Sequence, residues 1–365
     1  MNVLNLRDKN RPLQLILKVP GNGCNIACEY CFEKGKNVSH DLLTPDVLSN
    51  IIDKANNKVI VTFHGGEPLL IGKRKFIELL DVVRSKIDKI DSVFIQSNGT
   101  LLDEEWIEIL YCQYGDLNIE ISLSLDGSRS MNYLRVDYDE VETFQRVIDA
   151  YKLLHKHGIK AGLLSVISKN SLNKAEEYVQ LLSSIPNIKF VKLNALFNME
   201  KNELTQESIT PTQYANFIID VSRLYIKNKL YTRFPLEPFL SIMQAMKNKA
   251  SRYCNYSKSK CLNFISVYPD GMLGPCDCLP ATDFTINLNE RESLDDAIER
   301  CMDLGNYKTI NKLMEECDEC DVFNFCQGGC LSQRYYFKDN LSLKEDFCNS
   351  KHTLYTFGKE ITKHD

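Results

Sequence analysis

No apolar stretch in this 365-residue sequence approaches the ~20 residues that a membrane-spanning helix needs. The opening Met1-Asn2-Val3-Leu4-Asn5-Leu6-Arg7-Asp8-Lys9 carries charges where a secretory leader would be apolar, which argues against export. An excess of charge of one sign is missing as well. With 44 Lys+Arg against 49 Asp+Glu the formal net charge is −5, so bulk electrostatics give no reason to expect a nucleic-acid partner. These absences point to a cytoplasmic chain that binds neither nucleic acid nor membrane. Its 44% hydrophobic and 25% charged residues are ordinary for a globular protein with a large core and about two domains.

Cysteine, by contrast, is abundant. There are 14, and disulfides are rare in the cytoplasm, so clustered thiols point to metal binding or catalysis. Three stand together as Cys24-Asn25-Ile26-Ala27-Cys28-Glu29-Tyr30-Cys31, directly after the apolar run Leu13–Val19. Cys112 is isolated, and ten more fall between Cys254 and Cys348. Three thiolates in one loop can hold three irons of a cubane cluster and leave the fourth open. An open iron is a place for chemistry, whereas clusters with a full set of cysteines mostly carry electrons.

The CX3CX2C spacing, with aromatic Tyr30 before its last cysteine, resembles the radical S-adenosylmethionine (radical SAM) enzymes. The resemblance implies that Cys24, Cys28 and Cys31 bind a [4Fe–4S] cluster. Its open iron would chelate S-adenosylmethionine, and reductive cleavage would release a 5′-deoxyadenosyl radical. A zinc loop is the alternative, although zinc sites usually draw four ligands from paired arms.

From residue 13 to about 228, β-branched runs alternate with amphipathic segments. The runs are Leu13–Val19, Val59–Phe63, Val93–Gln96, Ile119–Leu125, Ala161–Ile167 and Phe190–Leu196; Phe76–Ile87 and Thr143–His157 read as helices. Thr44-Pro45-Asp46 predicts a capped helix start, and Gly158 a helix stop. The alternation predicts an α/β fold with a parallel sheet. With the resemblance it implies a partial (β/α)6 TIM-like barrel, followed by a C-terminal cysteine-rich SPASM domain. Residues 1–228 would form the core, 229–253 a linker containing a helix at Phe239–Lys249, and 254–365 the SPASM domain. In such barrels chemistry sits at the C-terminal strand ends. There the resemblance nominates Tyr30, the glycines and acid of Gly65-Gly66-Glu67-Pro68, Asn98, Ser124, Asp126, Arg135 and Asn194 as contacts of the cofactor.

Beyond residue 253, Cys261-X9-Gly271-X4-Cys276, then Cys317-X2-Cys320-X5-Cys326-X3-Cys330 and Cys348, resemble the SPASM extension of peptide- and protein-modifying radical SAM enzymes. Asp270-Gly271 predicts a hairpin within it. By the family's arrangement Cys254, Cys261, Cys276 and Cys330 would hold one auxiliary [4Fe–4S] cluster. Cys317, Cys320, Cys326 and Cys348 would hold a second, three clusters in all with the first. Cys278 could replace Cys254 as a ligand. The interleaved ligands would supply folding energy to a region expected to have little apolar core. Cys112 and Cys301, without assigned partners, are expected to be small buried hydrophobes.

Two auxiliary clusters give a substrate radical somewhere to send an electron, which suits net two-electron oxidation. The resemblance implies a peptide or protein substrate and a reducing partner such as flavodoxin or ferredoxin. The first expectation is a maturase of a ribosomally made peptide, forming a thioether or carbon–carbon link. The alternative is an anaerobic sulfatase-maturating enzyme making formylglycine from Cys or Ser; a non-catalytic zinc-binding interaction protein is a third reading. Asp277, beside Cys276, matches an aspartate proposed as proton acceptor in the sulfatase-maturing relatives. His64 stands where those relatives commonly have glutamine. His155 and His157 read as surface residues of a helix.

Overall fold

The computed structural model describes residues 7–36, 41–251, 253–257, 259, 262–317 and 319–363. The six expected strands form, as β1 (Leu13–Lys18), β2 (Val59–His64), β3 (Ile90–Ser97), β4 (Glu120–Ser124), β5 (Ala161–Ile167) and β6 (Ile188–Ala195). They pair in parallel, in that order. The β1 side chains from Leu15 to Lys18 are all buried, the pattern of a strand covered on both faces, and this is why these runs read as nearly continuous apolar stretches.

Helices fill the crossovers. The helix Pro45–Asp53 starts as its sequence predicts, with the Thr44 side chain accepting from Val47 N at 3.3 Å and Pro45 in the first turn. The helix Lys73–Ser85 buries Phe76, whose ring centre lies 4.8 Å from that of Phe63 and 5.3 Å from that of Trp106. The helix Phe144–Lys156 ends at Gly158, which has φ +71°, a conformation that suits glycine.

The sheet also extends beyond the six units. A short hairpin of β7 (Met199–Glu200) and β8 (Glu203–Leu204) stands apart. β9 (Leu236–Glu237) adds in parallel to β6. From the cysteine-rich tail, β10 (Phe264–Val267) adds in parallel to β1, followed by antiparallel β11 (Met272–Gly274) and β12 (Ile286–Asn287). The order β12-β11-β10-β1-β2-β3-β4-β5-β6-β9 leaves an open sheet. The β10–β11 turn carries Asp270-Gly271, with Gly271 at φ +83°.

The expectation that the tail has little apolar core is corrected. Phe284, Leu294, Ala297, Ile298, Met302, Ile310 and Met314 are buried in the same cluster as the strands. Their helical spacing is short and interrupted by the cysteines, which hid it. The last helix, Leu341–Thr362, packs on the helix Pro211–Lys227 and returns the chain to the first half. No helix among the described residues is long and apolar enough to cross a membrane.

Candidate active site

The cysteine loop leaves the C-terminal end of β1 and is held on three sides. On one, the glycines of β2's exit lie against it: Gly66 N donates to Gly21 O (3.1 Å) and Glu67 N to Gly23 O (2.9 Å). A Cβ on Gly66 would lie 1.8 Å from Gly23 O, so the approach of the two backbones requires glycine. On the second side, Asn98 at the end of β3 donates to Asn25 Oδ1 (2.9 Å) and lies 3.7 Å from Cys24 Sγ. On the third, Ala27 N donates to Val136 O (2.7 Å) and Glu29 N to Leu134 O (3.0 Å). Burial pushes the Cys24 thiol up to about 11, with Glu67, Cys28 and Cys31 adding to the shift.

Glu67 is fully buried, and its carboxylate is largely spoken for. It accepts from Asn98 N (2.7 Å), Ser97 Oγ (2.9 Å) and Leu69 N (3.1 Å), thereby fixing β3's end against β2's end. Burial pushes its carboxyl up to about 7 even against these donors. Across the mouth, Tyr30 donates its hydroxyl proton to Asp126 Oδ2 (2.5 Å) and accepts from Arg135 Nη1 (2.7 Å); Arg135 lies 3.9 Å from Asp126. Asp126 and Arg135 are buried and Tyr30 is half-buried, and burial raises the Asp126 carboxyl above its ordinary range. Ser124 accepts from Gln96 Nε2 (2.9 Å) on the neighbouring strand. Asn194 stands half-buried at β6's end, paired across the sheet with Val166. The sheet thus brings the nominated strand-end residues to one end, around the cysteine loop. Asn198, which the motifs did not nominate, donates to Tyr30 O at 2.8 Å.

A second group was not foreseen. Lys18, the last residue of β1, has no exposed surface, and its ammonium donates to Glu33 Oε1 (2.6 Å) and Asp277 Oδ2 (2.9 Å). Lys36 reaches the same Glu33 oxygen (2.8 Å) and the backbone carbonyl of Asp277 (2.5 Å). His64 Nδ1 stands 3.4 Å from Lys18 Nζ and 3.9 Å from Asp277 Oδ2. Burial alone would raise the Asp277 carboxyl, but the charges of Lys18, His64 and Lys36 outweigh it and hold the group well below the usual range. Burial, together with the Lys18 charge, pushes the His64 imidazole down to about 4. The sequence signal was a lysine inside an apolar strand, since a buried lysine needs an anion.

In the tail, Cys276 Sγ, an Asp277 carboxylate oxygen and Cys278 Sγ lie within 4.8 Å of one another. The Cys278 thiol is raised first by its hydrogen bond with Cys276 and then by burial; Cys330 is raised by burial, with Cys278 contributing. Cys254 Sγ stands 3.7 Å from Asn255 Oδ1, and Cys261 lies outside the described residues. In the second proposed quartet, burial raises the Cys317 and Cys348 thiols, and Cys326 and Cys320 add to both shifts. None of the described cysteines is in a disulfide. Cys301 is buried as expected, donating to Phe284 O at 3.0 Å. Cys112 is exposed, which corrects the expectation of burial: it lies on the outer face of a π-helical turn at Glu108–Gln113. His155 and His157 are exposed as expected.

Comparison with known proteins agrees with this architecture. The Radical SAM superfamily model matches residues 18–182. A cysteine-type anaerobic sulfatase-maturating enzyme of Clostridium perfringens is 26% identical over 365 aligned residues, covering 95% of this chain and 96% of the relative. The solved structure of native anSMEcpe with bound AdoMet superposes with TM-score 0.79 at 24% identity, covering 96% of this chain and 98% of that one. Streptococcus suis SuiB bound to its precursor peptide SuiA superposes with TM-score 0.55 at 17% identity, covering 87% and 72%. Residues 18–182 match the Radical SAM superfamily, and the similarity to maturating enzymes, which runs along almost the whole chain, marks the protein as an enzyme.

Proposed function

We propose that this enzyme carries out a two-electron oxidation of a side chain in a peptide or protein, with formylglycine formation from cysteine or serine as the favoured reaction. The observation that carries the reading is the Lys18–Asp277 ion pair, which brings a carboxylate of the tail to the barrel's C-terminal end beside His64. Similarity to sulfatase-maturating enzymes along almost the full length of both chains supports the choice of reaction.

The donor chemistry fits an iron–sulfur cluster at the first site. Cys24, Cys28 and Cys31 share one loop, no disulfide joins them, and Cys28 and Cys31 add to the rise that burial gives the Cys24 thiol. In this reading Cys24, Cys28 and Cys31 hold the cluster, while Tyr30, Gly65, Gly66, Glu67, Asn98, Ser124, Asp126, Arg135 and Asn194 form the pocket for S-adenosylmethionine. When bound, cluster and S-adenosylmethionine supply the 5′-deoxyadenosyl radical. Glu67 and Asn98 keep the strand ends in register under the cysteine loop. Tyr30, Asp126 and Arg135 shield and orient as one hydrogen-bonded network. The substrate loses a hydrogen atom, a proton and an electron, and Asp277, kept ionised by Lys18, is the acceptor of the proton; serine gives the aldehyde directly, and cysteine a thioaldehyde that water converts to the aldehyde with release of hydrogen sulfide. Cys276 and Cys330, with Cys261 and either Cys254 or Cys278, would hold one auxiliary cluster. Cys317, Cys320, Cys326 and Cys348 would hold the other. An external flavodoxin or ferredoxin would supply the initiating electron.

Peptide cross-linking, the first expectation from the sequence, becomes the second reading, favoured by Cys278 beside Asp277 and by the fold shared with SuiB. The non-catalytic zinc-binding reading does not accord with a radical SAM domain. The test is anaerobic turnover of the reconstituted, reduced enzyme on peptides that contain cysteine or serine, read by mass spectrometry. An aldehyde trapped by a hydrazide supports the favoured reaction. An untrappable product with an internal link supports the second, and S-adenosylmethionine cleavage without any peptide product across both sets defeats the proposal.

A further inference from the structure

Two cations in the tail are buried away from carboxylates. Arg334, in the helix Leu331–Phe337, is 7% exposed, and Lys351, in the helix Leu341–Thr362, is 8% exposed. Among the described residues neither forms an ion pair with Asp or Glu, in contrast to their neighbours Lys338 and Lys344, which do. Arg334 spends two donors on backbone carbonyls, Gly328 O (2.5 Å) and Leu313 O (3.3 Å). A third donor, Nη2, points at Cys317 Sγ at 3.0 Å. Both cations lie against the Phe347 ring, Arg334 at 5.2 Å and Lys351 at 4.6 Å from its centre. The sulfurs of Cys317 and Cys348 feel the Arg334 charge, and those of Cys330 and Cys348 feel the Lys351 charge.

Burying two like charges together without a counter-ion is costly. The negative charge these two have at hand is cysteine sulfur. A cluster carrying four thiolates is a dianion when oxidised and gains one more negative charge when it takes up one electron. A neighbouring cation, or an N–H pointing at a ligand sulfur, stabilises the reduced form more than the oxidised one. Net charge and hydrogen bonds to sulfur are among the terms that set such potentials.

We infer that Arg334 and Lys351 raise the reduction potential of the auxiliary cluster held by Cys317, Cys320, Cys326 and Cys348, making this end of the tail the resting place of the electron removed from substrate. The inference rests on the proposed assignment of those cysteines to one cluster. The balance is one electron from the substrate radical to the cluster, with the proton going to Asp277. Lys351 is one helical turn after Cys348, and its Cε is 3.1 Å from where a Cβ on Gly329, the neighbour of Cys330, would stand, so it lies beside ligands of both proposed quartets and favours passage from the first to the second.

The test is an anaerobic potentiometric titration followed by electron paramagnetic resonance. It uses reconstituted full-length protein in which Cys24, Cys28 and Cys31 are alanine, so that only tail clusters report. Arg334→Gln should keep the parent's iron content. At the parent's midpoint its reduced-to-oxidised ratio for one cluster should fall about tenfold, about 59 mV for a one-electron couple. Lys351→Gln should move the midpoint in the same direction, and Arg334→Lys should move it least. Unmoved midpoints in both Gln variants at full iron overturn the inference. If Arg334→Gln sheds iron, Lys351→Gln decides alone; iron loss in both makes the cations structural and likewise overturns it. A parent protein holding far fewer than about eight irons per chain fails at an earlier point, because the cluster assignment itself is then wrong.

Discussion

Lys18 and Arg334 are both buried cations, one at the barrel mouth and one in the tail, yet they are satisfied by different chemistry. Lys18 is closed off by two carboxylates, Glu33 and Asp277, and its neighbour Lys36 shares the first of them. Arg334 has two carbonyls and a sulfur. The barrel mouth is thus balanced by the protein's own acids, whereas the tail keeps cationic charge in reserve for thiolates. The difference teaches where each region gets its stability. At the mouth Lys18 finds its counter-charges in carboxylates, and in the proposal above Arg334 finds its own once the tail's cysteines carry negative charge.

The most severe break in this picture is Cys24→Ala, which removes one of the three loop thiolates. Release of 5′-deoxyadenosine, measured chromatographically under anaerobic reducing conditions, should fall to background while the fold persists. Asp277→Asn strikes the contact between the two regions. Cofactor cleavage should continue while peptide product falls by about 10²–10⁴-fold, the usual worth of a positioned acid or base; unchanged product formation removes the residue from the mechanism.

Lys18→Met tests the self-balanced side of the comparison. It leaves Asp277 buried without its ion pair and Glu33 with Lys36 alone, and should destabilise the protein by about 3–5 kcal/mol in denaturant unfolding, with Lys18→Arg recovering part of the loss. A loss below about 1 kcal/mol would mean that the pair behaves as a surface salt bridge. The smallest effect belongs to Cys112→Ser. This thiol is exposed, so iron content should be unchanged and stability should stay within about 0.5 kcal/mol.

Much of this was legible in the sequence, for reasons visible in particular residues. The strand runs, from Leu13–Lys18 through Ile188–Ala195, were readable because parallel strands buried on both faces are unbroken apolar stretches. Thr44-Pro45 and Asp270-Gly271 were readable because caps and tight turns depend on local chemistry. The gathering of the strand-end residues at one end of the sheet followed from topology once the cysteine loop marked the first of them. What stayed hidden was long-range. Nothing adjacent to Lys18 announces Asp277, 259 positions away. Parallel pairing of Phe264–Val267 with the first strand joins segments some 250 positions apart, and no local pattern encodes it. Cys112 misled because cysteine is usually buried, while its place on an outward-facing turn depends on packing. Glu67 was nominated as a ligand contact from its motif; its three internal donors became visible only when β2 and β3 were side by side.

The measurement closest to the central claim is 5′-deoxyadenosine formed by the wild-type enzyme, reconstituted with iron and sulfide, reduced, and given S-adenosylmethionine and a cysteine- or serine-containing peptide. A cluster held by three cysteines with one iron open predicts stoichiometric or catalytic release. Fully cluster-loaded, reduced protein that leaves S-adenosylmethionine intact would contradict it.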